Sequence, residues 1–211
     1  MAMNYEILVE EPSMEAFLRS LLPRLLPNDR TFAIHPFQGK NDLLTNLASR
    51  LRGYANWLPQ DYRIVVVVDR DDDDCQQLKQ QMERVADEVR LRSRTRSPSS
   101  WQLVNRIVIE ELEAWYFGDW DAVCAAYPRL PATLPSKYRN PDAIAGGTWE
   151  AFERLLQRYG YFKSGLAKIE VARAIGERLD PSRCQSRSFK CFRDALIEAA
   201  GLQDSNHETR R

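Results

Sequence analysis

The chain has 211 residues, 44% of them hydrophobic, and its 30 basic and 30 acidic side chains cancel to no net charge. That length and apolar content allow one generous domain, or one core with an appendage, and exclude wholesale disorder. Balanced charge also excludes a protein that attracts polyanions with its whole surface, so such binding needs a local patch or a bound cation. No apolar run approaches a membrane span and Met1 to Leu8 shows no signal-peptide pattern, so a cytoplasmic location is expected. The four cysteines, Cys75, Cys124, Cys184 and Cys191, form no Cys-x-x-Cys pair, which predicts reduced thiols rather than a zinc site or a disulfide framework.

In chain order, Tyr5–Val9 predicts a first strand that ends at Glu10 and Glu11. Pro12 and Ser13 then open a helix to about Leu26, with Phe17, Leu18, Leu21, Leu22 and Leu25 at helical spacing. Pro23 within that pattern should kink or shorten it. Thr31–Phe37 predicts a second strand, followed by a turn through Gly39 and a helix capped by Asn41 that carries Leu43, Leu44, Leu47 and Leu51. Ile64–Val68 is apolar without alternation, as a central strand covered on both faces requires, and it runs into Asp69-Arg70-Asp71-Asp72-Asp73-Asp74. A long polar helix from about Asp73 to Leu91 comes next, then a fourth strand over Gln102–Ile109 that runs into Glu110, Glu111 and Glu113. Strands separated by helix-length segments predict an α/β fold, a mostly parallel sheet flanked by helices over residues 1–125. Beyond it, residues 126–211 read as a Pro-rich connector from Pro128 to Pro141 and a helical extension packed on the core. Helices are expected near Thr148–Tyr159, Ile169–Leu179 and Phe189–Ala200, and Gln203–Arg211 as a frayed tail.

Parallel strands place their carboxyl ends on one edge, where open sheets bind ligands. Three acidic groups then coincide: Glu10, the Asp69/Asp71 pair, and Glu110, Glu111 and Glu113. Two carboxylates one residue apart repel unless a cation lies between them, and a hard divalent ion with oxygen ligands meets that need. Asp72 and Asp73 are read instead as favouring the positive end of the next helix. Glu110 to Glu113 read equally well as an acidic first helical turn. Gly39-Lys40 lies on a loop at the same edge and is no Walker motif. Arg90, Arg92, Arg94 and Arg96 form the densest basic run, which reads as a solvated loop or, through Arg92, Arg94 and Arg96, as a source of nucleic-acid backbone contacts, with Lys40 a further candidate. With His35 in a strand and His207 in the tail, histidine acid–base catalysis is not expected.

Val9-Glu10, Asp69-x-Asp71 and Glu111, in this order, resemble the Toprim domain of topoisomerases, primases and the overcoming-lysogenisation-defect nucleases. Ile7–Ser13, Val68–Asp71, Arg106–Trp115 and Lys168–Ala172 more closely resemble the domain-of-unknown-function family 4276, a Toprim-like group, over most of the chain. The resemblance implies a Toprim/Rossmann-like sheet and phosphoryl transfer dependent on Mg²⁺ or Mn²⁺. Glu10, Asp69 and Asp71 would hold metal, with Glu111 beside them, and Lys168 would oppose developing phosphate charge. Toprim nucleases usually follow the first Glu with Gly and place a second acid four residues on; here those positions are Glu11 and Met14. Glu15 comes one residue late, about 100° further round a helix, so a second metal lacks its acid.

The reading is a metal-dependent phosphodiesterase acting on DNA or RNA. One rival is a catalytically silent binding subunit that works with a separate ATPase; another is a phosphatase or nucleotidyl transferase of small molecules. Nucleic acid, that ATPase and a second copy of the chain are the partners considered, and no membrane.

Overall fold

The computed structural model describes residues 3–201, so the expected tail at Gln203–Arg211 lies outside the described residues. Four parallel strands form one sheet: β1 (Asn4–Val9), β2 (Thr31–Pro36), β3 (Tyr62–Asp69) and β4 (Leu103–Val108), in the order β2-β1-β3-β4. Helices α1 (Pro12–Leu25), α2 (Lys40–Ala55) and α3 (Cys75–Glu88) make the connections, as expected of an α/β chain whose strands cannot be joined by hairpins.

The side-chain alternation of the strands builds two apolar layers. Leu8, Ile64, Val66, Val68 and Leu103 meet Leu43, Leu47 and Leu51 of α2 and Leu78 and Met82 of α3. Ile7, Val9, Val65, Val67, Val104 and Val108 meet α1 through Phe17, Leu18 and Leu21. Because β3 lies inside and both faces are covered, all of Ile64–Val68 is fully buried, which explains its unbroken apolar run.

The second layer also holds the rest of the chain: α4 (Glu113–Gly118), α5 (Trp120–Ala126), α6 (Thr148–Arg158), α7 (Lys168–Gly176) and α8 (Arg187–Ala199). Trp115 is its hub. The indole lies 5.8 Å from Phe17 and 5.2 Å from both Phe189 and Phe192, and its Nε1 donates to Ser188 Oγ at 2.9 Å. Helices α1 and α7 pack closely: a Cβ on Gly176 would stand 2.6 Å from the Phe17 carbonyl oxygen. Only a glycine lets the backbones approach that closely.

Local expectations needed three corrections. Gly39, with φ 102°, caps α2 instead of Asn41, and the Asp42 carboxylate accepts from Gln38 N at 3.0 Å. The left-handed turn starts the helix earlier than a side-chain cap at Asn41 would. Asp74, not Asp73, opens α3, accepting from Gln76 N and Gln77 N at 2.9 and 2.8 Å. Helix α5 (Trp120–Ala126) is an element beyond those the sequence pattern predicts. Among the described residues no helix is long and apolar enough to cross a membrane, and all four cysteines are free thiols.

Candidate metal and phosphate site

The parallel register aligns Val9 with Val67 and Asp69 with Val108, so the acids that follow the strands share one edge. Backbone bonds extend the ladder past the strand ends. Phe37 N donates to Val9 O and Gly39 N to Glu10 O, both at 2.9 Å, which holds the start of α2 against Glu10. Arg70 N reaches Val108 O at 2.9 Å and Asp71 N reaches Glu110 O at 3.0 Å. Asp71 (φ 47°) and Glu110 (φ 62°) both adopt the left-handed region without being glycine. Such strain persists where surrounding structure enforces it, and it gathers at functional sites.

Asp69 lies at the centre. The residue is 8% exposed, and among the described residues its buried Oδ1 has no hydrogen-bond partner. Burial, followed by the charges of Glu10, Glu113, Glu11 and Asp71, pushes its pKa well above the usual carboxylate range. Glu10 Oε2 accepts from Asp69 N at 3.1 Å, and burial outweighs that bond to raise the Glu10 pKa too. Burial drives Glu113 up to about 7, opposed by the charge of Lys168. Beside these acids the Tyr116 hydroxyl is buried without a partner among the described residues, its pKa raised by burial and by Glu113 and Asp69. Ser13 Oγ donates to Glu11.

Two lysines border the cluster. Lys40 Nζ pairs with Asp71 Oδ2 at 2.7 Å and Asp73 Oδ2 at 2.9 Å and donates to Arg70 O at 3.0 Å. Lys168, at the first turn of α7, lies 3.9 Å from Glu11 Oε1 and 5.0 Å from the Trp149 ring. Burial alone would lower both lysine pKa values; the facing carboxylates outweigh it and raise them. A cleft of about 430 Å³ opens over Glu10, Gly39, Lys40, Asp71 and Asp73, and a second of about 430 Å³ continues from Lys40 between α2 and α3, past Thr45, Gln77 and Gln81.

The structure thus brings Glu10, Asp69, Asp71, Lys40 and Lys168 to one edge and places the other candidates differently. Glu111 Oε2 accepts from Thr148 Oγ1 and Trp149 N, both at 2.8 Å, so it holds the start of α6. Glu113, which follows it by two residues, is the buried acid facing Asp69 and Lys168. Its sequence signal is an acid between Leu112 and Ala114-Trp115-Tyr116-Phe117, a run buried throughout. Arg70 takes Glu110. Glu15 pairs with Arg19 at 2.7 Å, while Met14 at the expected acid position is 2% exposed. The arginine run sits near the amino end of β4, where Ser93 bridges Leu103. A six-residue strand of roughly 3.3 Å per residue separates that end from the acids. There Arg92 donates to Ser100 O at 2.7 Å, Arg94 to Glu198 at 3.0 Å, and Arg96 pairs with Asp87 at 2.6 Å.

Among the described residues no three His, Cys, Asp or Glu side chains stand in ready-made chelating geometry. The donor set nevertheless fits a hard cation: oxygen ligands only, mutual repulsion, and a buried carboxylate oxygen without a partner.

A parallel α/β sheet with an acidic carboxyl edge is the class that fold and site define. The family model "Domain of unknown function (DUF4276)" matches residues 9–197, and the chain belongs to that family. Among solved structures it is similar to the C-terminal region of the Burkholderia pseudomallei OLD protein, with 16% identity, 93% of this chain and 99% of that chain covered, and a TM-score of 0.47. No curated protein matches.

Proposed function

We propose that this chain hydrolyses phosphodiester bonds in nucleic acid, with Mg²⁺ or Mn²⁺ held by Glu10, Asp69 and Asp71. The observation that carries the reading is Asp69, a buried carboxylate with a partnerless oxygen and four further carboxylates around it. Such a group is costly unless a cation meets it. A bound divalent ion supplies Lewis-acid polarisation of a phosphoryl oxygen and makes water more acidic.

The side chains then divide the work. Lys168 faces the acids from α7 and opposes charge that grows on the phosphoryl oxygens in the transition state. Glu113, whose pKa burial raises to about 7 in the metal-free protein, is placed to exchange a proton at this edge. Lys40, once a metal ion takes Asp71 from it, and the cleft beyond it would accommodate a neighbouring backbone phosphate. Arg92, Arg94 and Arg96 contribute only if the nucleic acid also reaches the opposite end of the sheet.

One observation favours the silent binding subunit: Lys40 already neutralises Asp71 and Asp73. The deciding assay incubates pure protein with supercoiled plasmid, single-stranded DNA and RNA, with Mg²⁺ or Mn²⁺. Cleavage that Asp71→Ala abolishes, and that Lys168→Ala slows without loss of metal binding, supports the hydrolase. No cleavage with metal binding intact supports a subunit that needs its ATPase partner.

A further inference from the structure

Among the described residues strand β4 is an edge strand, and its outer side carries a single bridge, Ser93 to Leu103. The Asn105 carbonyl accepts from Lys79 Nζ at 2.8 Å, and beyond it that edge opens into a mostly apolar groove of about 420 Å³ lined by Ile107, Ile109, Lys79 of α3, Asp142, and Arg187 and Cys191 of α8. Unpaired strand edges are templates for a further strand.

Arg106 makes this edge unusual. It lies between the buried residues Val104 and Val108, on the sheet face that α8 covers. Among the described residues its Nε is buried without a partner, and its Nη1 contact to Asn105 O is long, at 3.4 Å. The carboxylates whose charge reaches it are already engaged. Glu198 binds Arg94 and the Trp101 indole, and Asp194 pairs with Arg193 at 2.6 Å. Burial accordingly lowers the Arg106 pKa. A guanidinium held half-buried with no anion is destabilising, and an acid brought from outside would remove that cost.

We propose that the open edge of β4 docks an extended segment of a partner protein, which adds as a fifth strand and sets an Asp or Glu carboxylate on Arg106. Charge selects this occupant over a second copy of the chain: Glu83 already pairs with Lys79 at 3.0 Å, but self-pairing would bring Arg106 and Arg187 against their like-charged copies. Neighbouring residues of the segment would be apolar, to cover Ile107 and Ile109. This site is independent of the acidic edge, and failure of either leaves the other standing.

The test selects a displayed library of random peptides of roughly twelve residues on the full chain in EDTA. The recovered peptides should carry an acid flanked by β-branched or aromatic residues. Their synthetic copies should bind Arg106→Leu at least about tenfold more weakly and slow amide exchange at Asn105 and Ile107. Arg106→Leu alone should melt at or above the wild-type temperature, since an apolar residue replaces a partnerless charge. Recovery of no acidic sequences, equal binding by the variant, or unprotected amides would overturn the proposal. So would a lower melting temperature for Arg106→Leu, which would show that the guanidinium is satisfied within the fold.

Discussion

Lys40 Nζ lies 2.7 Å from Asp71 Oδ2, so the outer acid of the Asp-x-Asp pair already has a cation, supplied by the protein itself. A metal ion recruited to Asp71 competes with that ammonium group. Lys40→Met should therefore tighten Mg²⁺ binding by about threefold to tenfold, on the order of 1 kcal/mol. Titration calorimetry at fixed pH measures this. Weaker binding by the variant would mean that Lys40 helps to build the site instead of guarding it.

The metal-free edge is frustrated, because Asp69 is buried among carboxylates and its Oδ1 has no partner. Asp69→Asn should remove metal binding while raising the stability of the EDTA-treated protein at neutral pH by about 1 kcal/mol or more. Asp71→Ala should leave that stability unchanged or slightly higher, since Asp71 is more exposed. Urea unfolding in EDTA reads both. A clear loss in Asp69→Asn would show that its charge is already satisfied internally.

Glu113 gives the edge a pH signature. Its pKa rises from the ordinary 4.5 to about 7, chiefly through burial, so between those values the folded state binds more protons than the unfolded one. Stability from this group is full below about pH 4.5, falls as pH rises through about 7, and amounts to about 3 kcal/mol at roughly 1.4 kcal/mol per unit. Glu198, held low by its bond to Arg94, contributes with the opposite sign, so the readout is the difference between wild type and Glu113→Gln. In EDTA that difference should change steadily from pH 4.5 to 7; a constant difference would contradict the burial of an acid there.

Gly176 connects packing to the site. A methyl group at this position would meet the Phe17 carbonyl at 2.6 Å, and the helix it would push away carries Lys168. Gly176→Ala should cost about 2 kcal/mol or more in thermal or urea unfolding. It should also slow any cleavage by more than its effect on the folded fraction. An unchanged melting temperature would mean that α1 and α7 separate freely.

The sequence made the strands legible because each is apolar and bounded by turn residues. Ile64–Val68 reads as a doubly covered strand, and parallel strands bring Glu10, Asp69 and Asp71 to one edge. Lys168 came from family resemblance alone, and the tight α1–α7 contact explains how a residue so distant in sequence reaches Glu11. Other features depended on tertiary context. Glu111 and Glu113 carry the same group, and only the packing of α6 assigns one to Thr148 and Trp149 and turns the other inward. Arg92, Arg94 and Arg96 look like a phosphate-binding run, yet the direction of β4 puts them at the other end of the sheet. The cap at Gly39 was hidden because a left-handed backbone, not a side chain, starts α2.

The most direct measurement is anomalous scattering from crystals soaked in Mn²⁺. A peak bounded by Glu10, Asp69 and Asp71, at roughly 2.1–2.3 Å from their carboxylate oxygens, is the predicted result, with Lys40 drawn off Asp71. It should vanish in Asp69→Asn. Well-diffracting crystals saturated with Mn²⁺ that show no peak at this edge, with Lys40 still on Asp71, would contradict a metal-dependent hydrolase.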